Sequence, residues 1–300
     1  MKSMIRNVWV VTLLMVGTGV LLYPDVMNWR ESRRHVAFIQ AYNADVALMA
    51  MAEIAYELER ARIFNKGITD IRINDPWGRG ANEIAGTEEY YGLLNLSDHH
   101  MMGRIEIPRI NVDLPIFHGS SSAVLDRGVG HMPHTSLPIG GYGNHSILTA
   151  HTGLVNARLF TDLIDLPVGE IFVITVANQR IAYQVFDREI VLPHEIEGLQ
   201  TDKDRDLVTL VTCYPYGINS HRLLVFGERI FYDEGMLDDI ESIVEIFNVR
   251  HLAVIGIVVI VIGISSFRAL KTWKKEKKRL LDEHVIDQRY EKEYHEMFGD

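Results

Sequence analysis

The sequence predicts a mainly-β domain, either a β-barrel or a β-sandwich, that lies outside the cell between two membrane-spanning helices. Three features of the 300-residue chain indicate this: an apolar run near each end, seven short β-branched segments between residues 103 and 231, and a basic cluster after the second run. The predicted divisions are an N-terminal start and anchor (1–23), a helical region (24–102), the β-domain (103–235), a juxtamembrane helix (236–251), a second span (252–267) and a cytoplasmic tail (268–300).

The two apolar runs are VWVVTLLMVGTGVLLY, residues 8–23, and LAVIGIVVIVIGISSF, residues 252–267, each 16 residues without a charge. As helices they would be about 24 Å long, slightly short of the ~30 Å hydrocarbon core of a bilayer. Flanking residues such as Trp9 and Trp273 can anchor at the interface and make up the difference. No small-residue cleavage site follows the first run, so we expect an uncleaved anchor rather than a signal peptide.

The second run sets the orientation. Cytoplasmic flanks of membrane helices are rich in lysine and arginine. Seven basic residues follow this run within twelve positions: Arg268, Lys271, Lys274, Lys275, Lys277, Lys278 and Arg279. With two spans the N-terminus is also expected inside, which leaves residues 24–251 outside.

Charge and cysteine usage limit the function classes. Because residues 1–23 carry +2 and residues 268–300 carry +1, the net −10 of the chain leaves −13 on residues 24–267. Such an acidic domain is unsuited to nucleic acid. A single cysteine allows no internal disulfide and no thiolate metal cluster. No cofactor or metal is predicted. Calcium dependence is left undetermined by the sequence, which has no convincing cluster of acidic ligands.

The spacing of apolar residues predicts the helices and strands between the two apolar runs. Residues 31–63 are predicted to form one helix, and the turn-rich residues 67–86 a surface loop. The β-branched segments from residue 103 onward include a hairpin, EIFVITV–ANQ–RIAYQVF. Residues 236–248 are again predicted to be helical.

The candidate site centres on the lone cysteine. Side chains alternate along DLVTLVTC, so Thr209, Val211 and Cys213 share one face of a strand. If this strand pairs antiparallel with the next, Cys213 and Arg222 lie at the same end of the sheet, where a positive charge favours thiolate. The alternatives are a buried, inert cysteine and an ordinary exposed arginine.

A cysteine nucleophile needs a histidine as proton acceptor and donor. His151 closes the apolar run SILTAHT and is the candidate from strand position. His131 and His134 in GHMPHTS have no third ligand at convincing spacing, so both are interpreted as surface loop histidines rather than metal ligands.

Two stretches carry a resemblance to a known family. TLVTCYPYGINSHRLLVFG, residues 209–227, resembles the signature of the sortases, and within them of the pilus-building class C enzymes. GVGHMPHTSLPIGGYGNHSILTAHTGLVNARLFTDL, residues 128–163, is similar to the same class. The resemblance extends over about residues 103–230. Tyr214 departs from it, since many relatives have a smaller hydroxyl residue there.

The resemblance implies a closed β-barrel of about eight strands and a catalytic trio of Cys213, His151 and Arg222. Cys213 would attack an LPxTG-like sorting signal, His151 would act as general acid and base, and Arg222 would stabilise the oxyanion or position the substrate. A lysine of the next pilin would resolve the thioacyl enzyme, so the implied partners are pilins.

Class C sortases also carry a lid with an Asp-Pro-aromatic element. INDPWGRG has Asp75, Pro76 and Trp77 in the matching place, within a lid loop at about residues 70–82. The Asp75 carboxylate would pair with Arg222 and the Trp77 indole would cover the thiol. Without the resemblance, an ordinary Asp-Pro turn would explain this stretch.

Two other functions compete with pilin polymerisation. A sortase that anchors proteins to peptidoglycan uses the same chemistry, but the second span and the lid element argue against it. A non-catalytic β-barrel adhesion or scaffold protein would keep Cys213 as an inert core residue.

Overall fold

The computed structural model describes residues 2–71, 73–78, 86–97 and 100–232, together with part of residues 256–299. The chain divides into two compact units, Met1–Pro24 with Ile246–Asp300, and Asp25–Glu245. The described residues of the first unit are helical apart from Gly299. The predicted helix at 236–248 and most of the predicted span at 252–267 lie outside the described residues.

Over the residues that the structure describes, no helix combines the length and the apolar character that a bilayer requires. The two spans therefore stay predictions from the sequence.

The N-terminal half of the chain holds two long helices where the sequence predicted one over residues 31–63. α1 covers Lys2–Leu48 and α2 covers Met51–Gly67, and between them Ala50 has extended backbone angles (φ −66°, ψ 142°). On α1, Ile39, Tyr42 and Val46 lie on one face of the helix and are buried. The Tyr42 hydroxyl donates to the carbonyl of Met102 at 3.2 Å, which ties α1 to the first strand.

The β-domain is a closed barrel of eight strands, which confirms the barrel part of the predicted fold class. Its strand order is β1-β2-β3-β4-β7-β8-β6-β5, with β2–β3 and β4–β7 parallel and the other pairs antiparallel. The strands are β1 Met101–Ile107, β2 Val112–His118, β3 Val129–His131, β4 His145–Thr149, β5 Ile171–Val176, β6 Gln179–Val191, β7 Leu207–Tyr214 and β8 His221–Ile230. Short helices are α3 Glu88–Tyr91 and α4 Ser122–Leu125, and 3-10 turns occupy Pro108–Ile110, Thr161–Asp165 and Pro193–Gly198.

The predicted hairpin is β5–β6. Its two turn residues, Ala177 and Asn178, both have positive φ (47° and 63°). Two such residues in succession form the turn that matches the twist of paired strands. β3 was not predicted, because three residues are too few to show an alternating pattern.

Two apolar clusters lie on opposite faces of β7 and β8. Val208 and Leu210 of β7 belong to the large core. Val211 belongs to a smaller cluster with Ile71 and Ile73, which precede the Asp-Pro turn. Consecutive strand residues point to opposite faces, so the lid loop covers the face of β7 that carries Cys213. The predicted surface loop at 67–86 is thus wrong for Ile71, Ile73 and Asp75, all of them buried.

Candidate active site

Cys213 and Arg222 are direct partners across the β7–β8 ladder, as the antiparallel pairing predicts. Cys213 is on the face covered by the lid loop and only 6% exposed. Every residue of β7 up to Cys213 is buried. The lone thiol therefore lies at the end of a strand that has protein on both faces.

Burial controls the state of this thiol. It raises the pKa of Cys213 to about 11; the charge of Arg222 opposes the rise and the Asp75 carboxylate adds to it. The prediction that Arg222 favours the thiolate has the correct sign for that one interaction, but burial outweighs it. The cysteine is a neutral thiol in this arrangement.

Asp75 and Arg222 form a buried ion pair between the lid loop and the barrel. Arg222 Nε donates to Asp75 Oδ1 at 2.6 Å, and Nη2 donates to Oδ2 at 2.7 Å. The third guanidinium nitrogen donates to the carbonyls of Asn219 and His221. Since fork-shaped pairs of this kind are the stronger class of hydrogen bond, the arginine is fully engaged while the loop is in place.

Trp77 contacts the histidine. Its indole Nε1–H donates to His151 Nδ1 at 3.1 Å. The Arg222 guanidinium carbon lies 5.1 Å from the centre of the Trp77 ring. Pro76 is buried between the two contact residues, and the Gly78 N–H donates to the carbonyl of Asp75 at 3.1 Å, which closes the turn.

The barrel places His151 level with Cys213. β4 and β7 run parallel with Thr149 opposite Val211. His151 lies two residues beyond the end of β4, and Cys213 lies two residues further along β7. Beyond the end of β4, the Thr212 hydroxyl donates to the carbonyl of Ala150 at 2.8 Å and keeps the two chains together. The structure thus brings Cys213, His151 and Arg222 into one region, in contact with the Asp75-Pro76-Trp77 turn of the lid loop.

One neighbour of His151 was not predicted from the sequence. Asp126 Oδ1 lies 3.8 Å from His151 Nε2. Burial lowers the pKa of His151, and the Asp126 carboxylate works against that change. Asp126 lies on a different connection, outside the motifs that single out the cysteine and the histidine.

His131 corrects a prediction. Instead of lying in a surface loop, it ends β3 and is fully buried, while His134 is partly buried. The Nε2 of His131 faces the carbonyl of Ser136 at 2.8 Å, and its Nδ1 faces the Tyr90 hydroxyl at 2.9 Å. Burial lowers the pKa of His131 to about 3. The ring is a neutral member of the core.

Possible metal ligands are dispersed. Among the described residues, no three histidine, cysteine or acidic side chains lie close enough together to bind a metal ion.

The fold and site define a β-barrel with a cysteine near the end of β7, an arginine near the start of β8 and a histidine just beyond the end of β4. Residues 105–230 match the sortase domain. The crystal structure of sortase C-1 from Streptococcus pneumoniae is similar, with 38% identity, a TM-score of 0.61 and coverage of 66% of this chain and 100% of that chain. A pilus-related sortase C of Group B Streptococcus has 35% identity and a TM-score of 0.59, and the match covers 65% of this chain and 98% of that chain.

A more distant relative is sortase D of Bacillus subtilis (strain 168), 26% identical over 131 residues, or 43% of this chain. The match spans 63% of that relative, less than two thirds of its length. The chain belongs to the sortase family, whose members are cysteine transpeptidases, and its structural neighbours are class C sortases.

Proposed function

We propose that this chain is a membrane-anchored transpeptidase that cleaves LPxTG-like sorting signals and joins pilin subunits through lysine isopeptide bonds. The observation that carries the proposal is the convergence of Cys213, His151 and Arg222 beneath the Asp75-Pro76-Trp77 turn. The similarity to a pilus-related sortase C supports pilins as the substrates.

Cys213 is the nucleophile and His151 the proton carrier in this proposal. The thiol proton moves to His151 as the sulfur bonds to the threonine carbonyl carbon of the sorting signal. The carbon–nitrogen bond to glycine then breaks, and His151 returns the proton to the leaving amine. A lysine amine of the next pilin attacks the thioester, loses a proton to His151 and releases the thiol.

Arg222 supplies the positive charge for the tetrahedral intermediate or for the bound peptide. A donor that stabilises an oxyanion contributes about 10²–10³ in rate. Arg222 is paired with Asp75 at 2.6 and 2.7 Å, so it becomes available only when that contact breaks.

The lid loop is proposed to hold the site inactive. It occupies each member of the trio: Asp75 binds Arg222, Trp77 binds His151, and the loop buries Cys213. Access of a sorting peptide to the thiol therefore requires the loop to move.

Location outside the cytoplasmic membrane is part of the proposal. It rests on the two apolar runs and the basic residues that follow the second one. Fractionation of cells, with protease protection of tags placed at each end of the full chain, tests it. Digestion of a C-terminal tag in intact cells would reverse the assigned orientation.

The catalytic proposal is tested with the full chain in detergent and a purified pilin-like protein bearing an LPxTG-like signal. Mass spectrometry compares the parent with Cys213→Ala, with Asp75→Ala/Trp77→Ala and with Asp113→Asn as a surface control. We expect thioacyl adducts on Cys213 and lysine-linked oligomers, more of both in the double variant, and none in Cys213→Ala.

Other outcomes separate the competing functions. Cleavage without lysine-linked oligomers favours an anchoring sortase that uses a different amine. If no variant forms an adduct, including the double variant, Cys213 is an inert core residue and the proposed transpeptidase activity is refuted.

A further inference from the structure

Asp126 places an exposed carboxylate beside the proposed proton carrier, on a stretch of backbone that its neighbours hold in place. It directly follows α4, and its N–H donates to the carbonyl of Ser122 at 2.9 Å. The next residue, Arg127, packs its guanidinium over the ring of Phe117, 4.5 Å from the centre. Backbone contacts on one side and side-chain packing on the other therefore hold the position of Asp126.

The hydrogen bond from Trp77 defines the tautomer of His151. An indole nitrogen can only donate, so the Nδ1 that it contacts at 3.1 Å accepts and carries no proton. A neutral imidazole has one N–H, which places the proton of His151 on Nε2. That N–H is the group 3.8 Å from Asp126 Oδ1.

The two nitrogens of His151 thus have separate tasks once the lid loop leaves. Without its indole donor, Nδ1 is the unprotonated nitrogen of the ring, so in the proposed function it is the nitrogen that takes the proton of the Cys213 thiol. Nε2 keeps its proton on the side of Asp126. Proton uptake at Nδ1 creates an imidazolium beside a carboxylate, the arrangement that stabilises the charged histidine of hydrolase triads.

We propose that Asp126 is a positioning residue for His151: its carboxylate keeps the Nε2–H tautomer and stabilises the imidazolium that forms during thioacyl transfer. The inference rests on the proposed function, in which His151 carries the proton. At 3.8 Å the contact is longer than a hydrogen bond, and it shortens when the ring becomes charged.

While the lid loop is in place, the other charges near His151 are paired with each other. Trp77, which is uncharged, faces Nδ1, and beside it Asp75 and Arg222 form their own ion pair. Asp126 is the remaining charged neighbour identified for the ring within the described residues, and it makes protonation of His151 easier.

The expected effect is moderate because the Asp126 side chain is 67% exposed and His151 only 21%. Exposed ion pairs contribute little, so we expect Asp126→Asn to lower kcat by about fivefold. A fully buried triad aspartate, in contrast, is worth about 10⁴.

The test uses the full chain with ¹³C-labelled histidine in the Trp77→Ala background, where Nδ1 is free. His151→Gln identifies the signal of His151 among the 13 histidines. Asp126→Asn, Asp126→Glu and the control Asp113→Asn are titrated by NMR, and kcat and KM are measured on an LPxTG-like peptide. The control removes a carboxylate that pairs with Arg104 on β1, away from His151.

We expect the pKa of His151 to fall in Asp126→Asn, to recover in Asp126→Glu and to stay unchanged in Asp113→Asn. We also expect kcat, and not KM, to follow the same order. An unchanged His151 pKa in Asp126→Asn overturns the inference whatever the activity. A changed pKa with unchanged kcat also overturns it, because the carboxylate then has no effect on the reaction.

The same experiment keeps the two proposals distinguishable. If the Trp77→Ala protein, in which the lid contact to His151 is removed, does not cleave the peptide, the proposed function fails. The titration still shows whether Asp126 sets the protonation of His151.

Discussion

Replacement of Asp75 by asparagine tests whether the lid loop keeps Cys213 inert. The two side chains have nearly the same shape, so the variant removes the charge and leaves the volume of the turn. The change acts twice: it removes a negative charge that disfavours the thiolate, and it leaves the buried Arg222 guanidinium without its counter-ion.

Both effects can be sized from the structure. Removal of one partner from a buried ion pair costs about 3–5 kcal/mol, and the cost falls on the closed arrangement, since an open loop lets Arg222 reach water. Opening also relieves the burial of the thiol. A fall in the pKa of Cys213 from about 11 toward the ordinary 9.0 raises the thiolate fraction at pH 7 by about a hundredfold.

Alkylation by iodoacetamide measures the change directly, because the chain has a single cysteine. The rate is followed from pH 6 to pH 10 in the parent, in Asp75→Asn and in Asp70→Asn, which removes a carboxylate from the same part of the chain but leaves the Arg222 pair intact. We expect a rise of about a hundredfold at pH 7 in Asp75→Asn alone. A rise within twofold, with an unchanged pH midpoint, would refute control of the thiol by Asp75.

Three further perturbations test the remaining contacts. Trp77→Phe keeps a ring but loses the N–H that binds His151, so alkylation should rise by about fivefold and the ¹⁵N shifts of His151 should change; identical shifts would show that the indole does not set the tautomer. Tyr90→Phe removes the hydroxyl partner of buried His131, and urea titration should show a loss of about 2–3 kcal/mol in unfolding free energy, against almost none for the exposed control Tyr142→Phe; equal losses would contradict this. His131 is neutral in the fold with a pKa of about 3, so the unfolded chain takes up the proton first on acidification. Stability supplied by this group is complete above pH 6.5 and falls by up to about 1.4 kcal/mol per pH unit below it. If the urea midpoint of His131→Gln changes with pH as steeply as that of the parent, protonation of His131 is not the cause of the acid sensitivity.

The strand pattern predicted a barrel or a sandwich, and the resemblance selected the closed barrel. DLVTLVTC and HRLLVFGERIF are long β-branched and apolar runs, and the hairpin turn needs two residues with positive φ. β3 has only three residues, so its place depends on neighbouring strands rather than on its own pattern. The helix break at Ala50 was also missed, because alanine is a strong helix former and tertiary packing decides the break.

The sequence predicted which residues lie close together, but it did not predict their electrostatics. Pairing of β7 with β8 places Cys213 beside Arg222, and strand order places His151 near both. The sign of the Cys213 pKa change could not be predicted, because it depends on how completely the lid loop buries the thiol. His131 was misplaced for the same reason: a histidine between glycine and methionine gives no sign that Tyr90 and Ser136 will satisfy its ring inside the core.

The lid loop joins two kinds of contact that differ in strength and in reversibility. Ile71 and Ile73 are buried in the smaller apolar cluster, and burial of such side chains stabilises by about 1.5–3 kcal/mol each. Asp75 and Trp77 make polar contacts to Arg222 and His151, and water or a substrate carbonyl and carboxylate can replace these. A movement confined to the turn at Asp75-Pro76-Trp77 therefore frees the trio without exposing the isoleucines, whereas displacement of the whole loop would also expose Val211. The smaller movement loses the polar contacts of Asp75 and Trp77 and the packing of the Trp77 ring against the smaller cluster. It keeps Ile71 and Ile73 in place, so the apolar part of the loop can remain as a wall of the site while the turn opens.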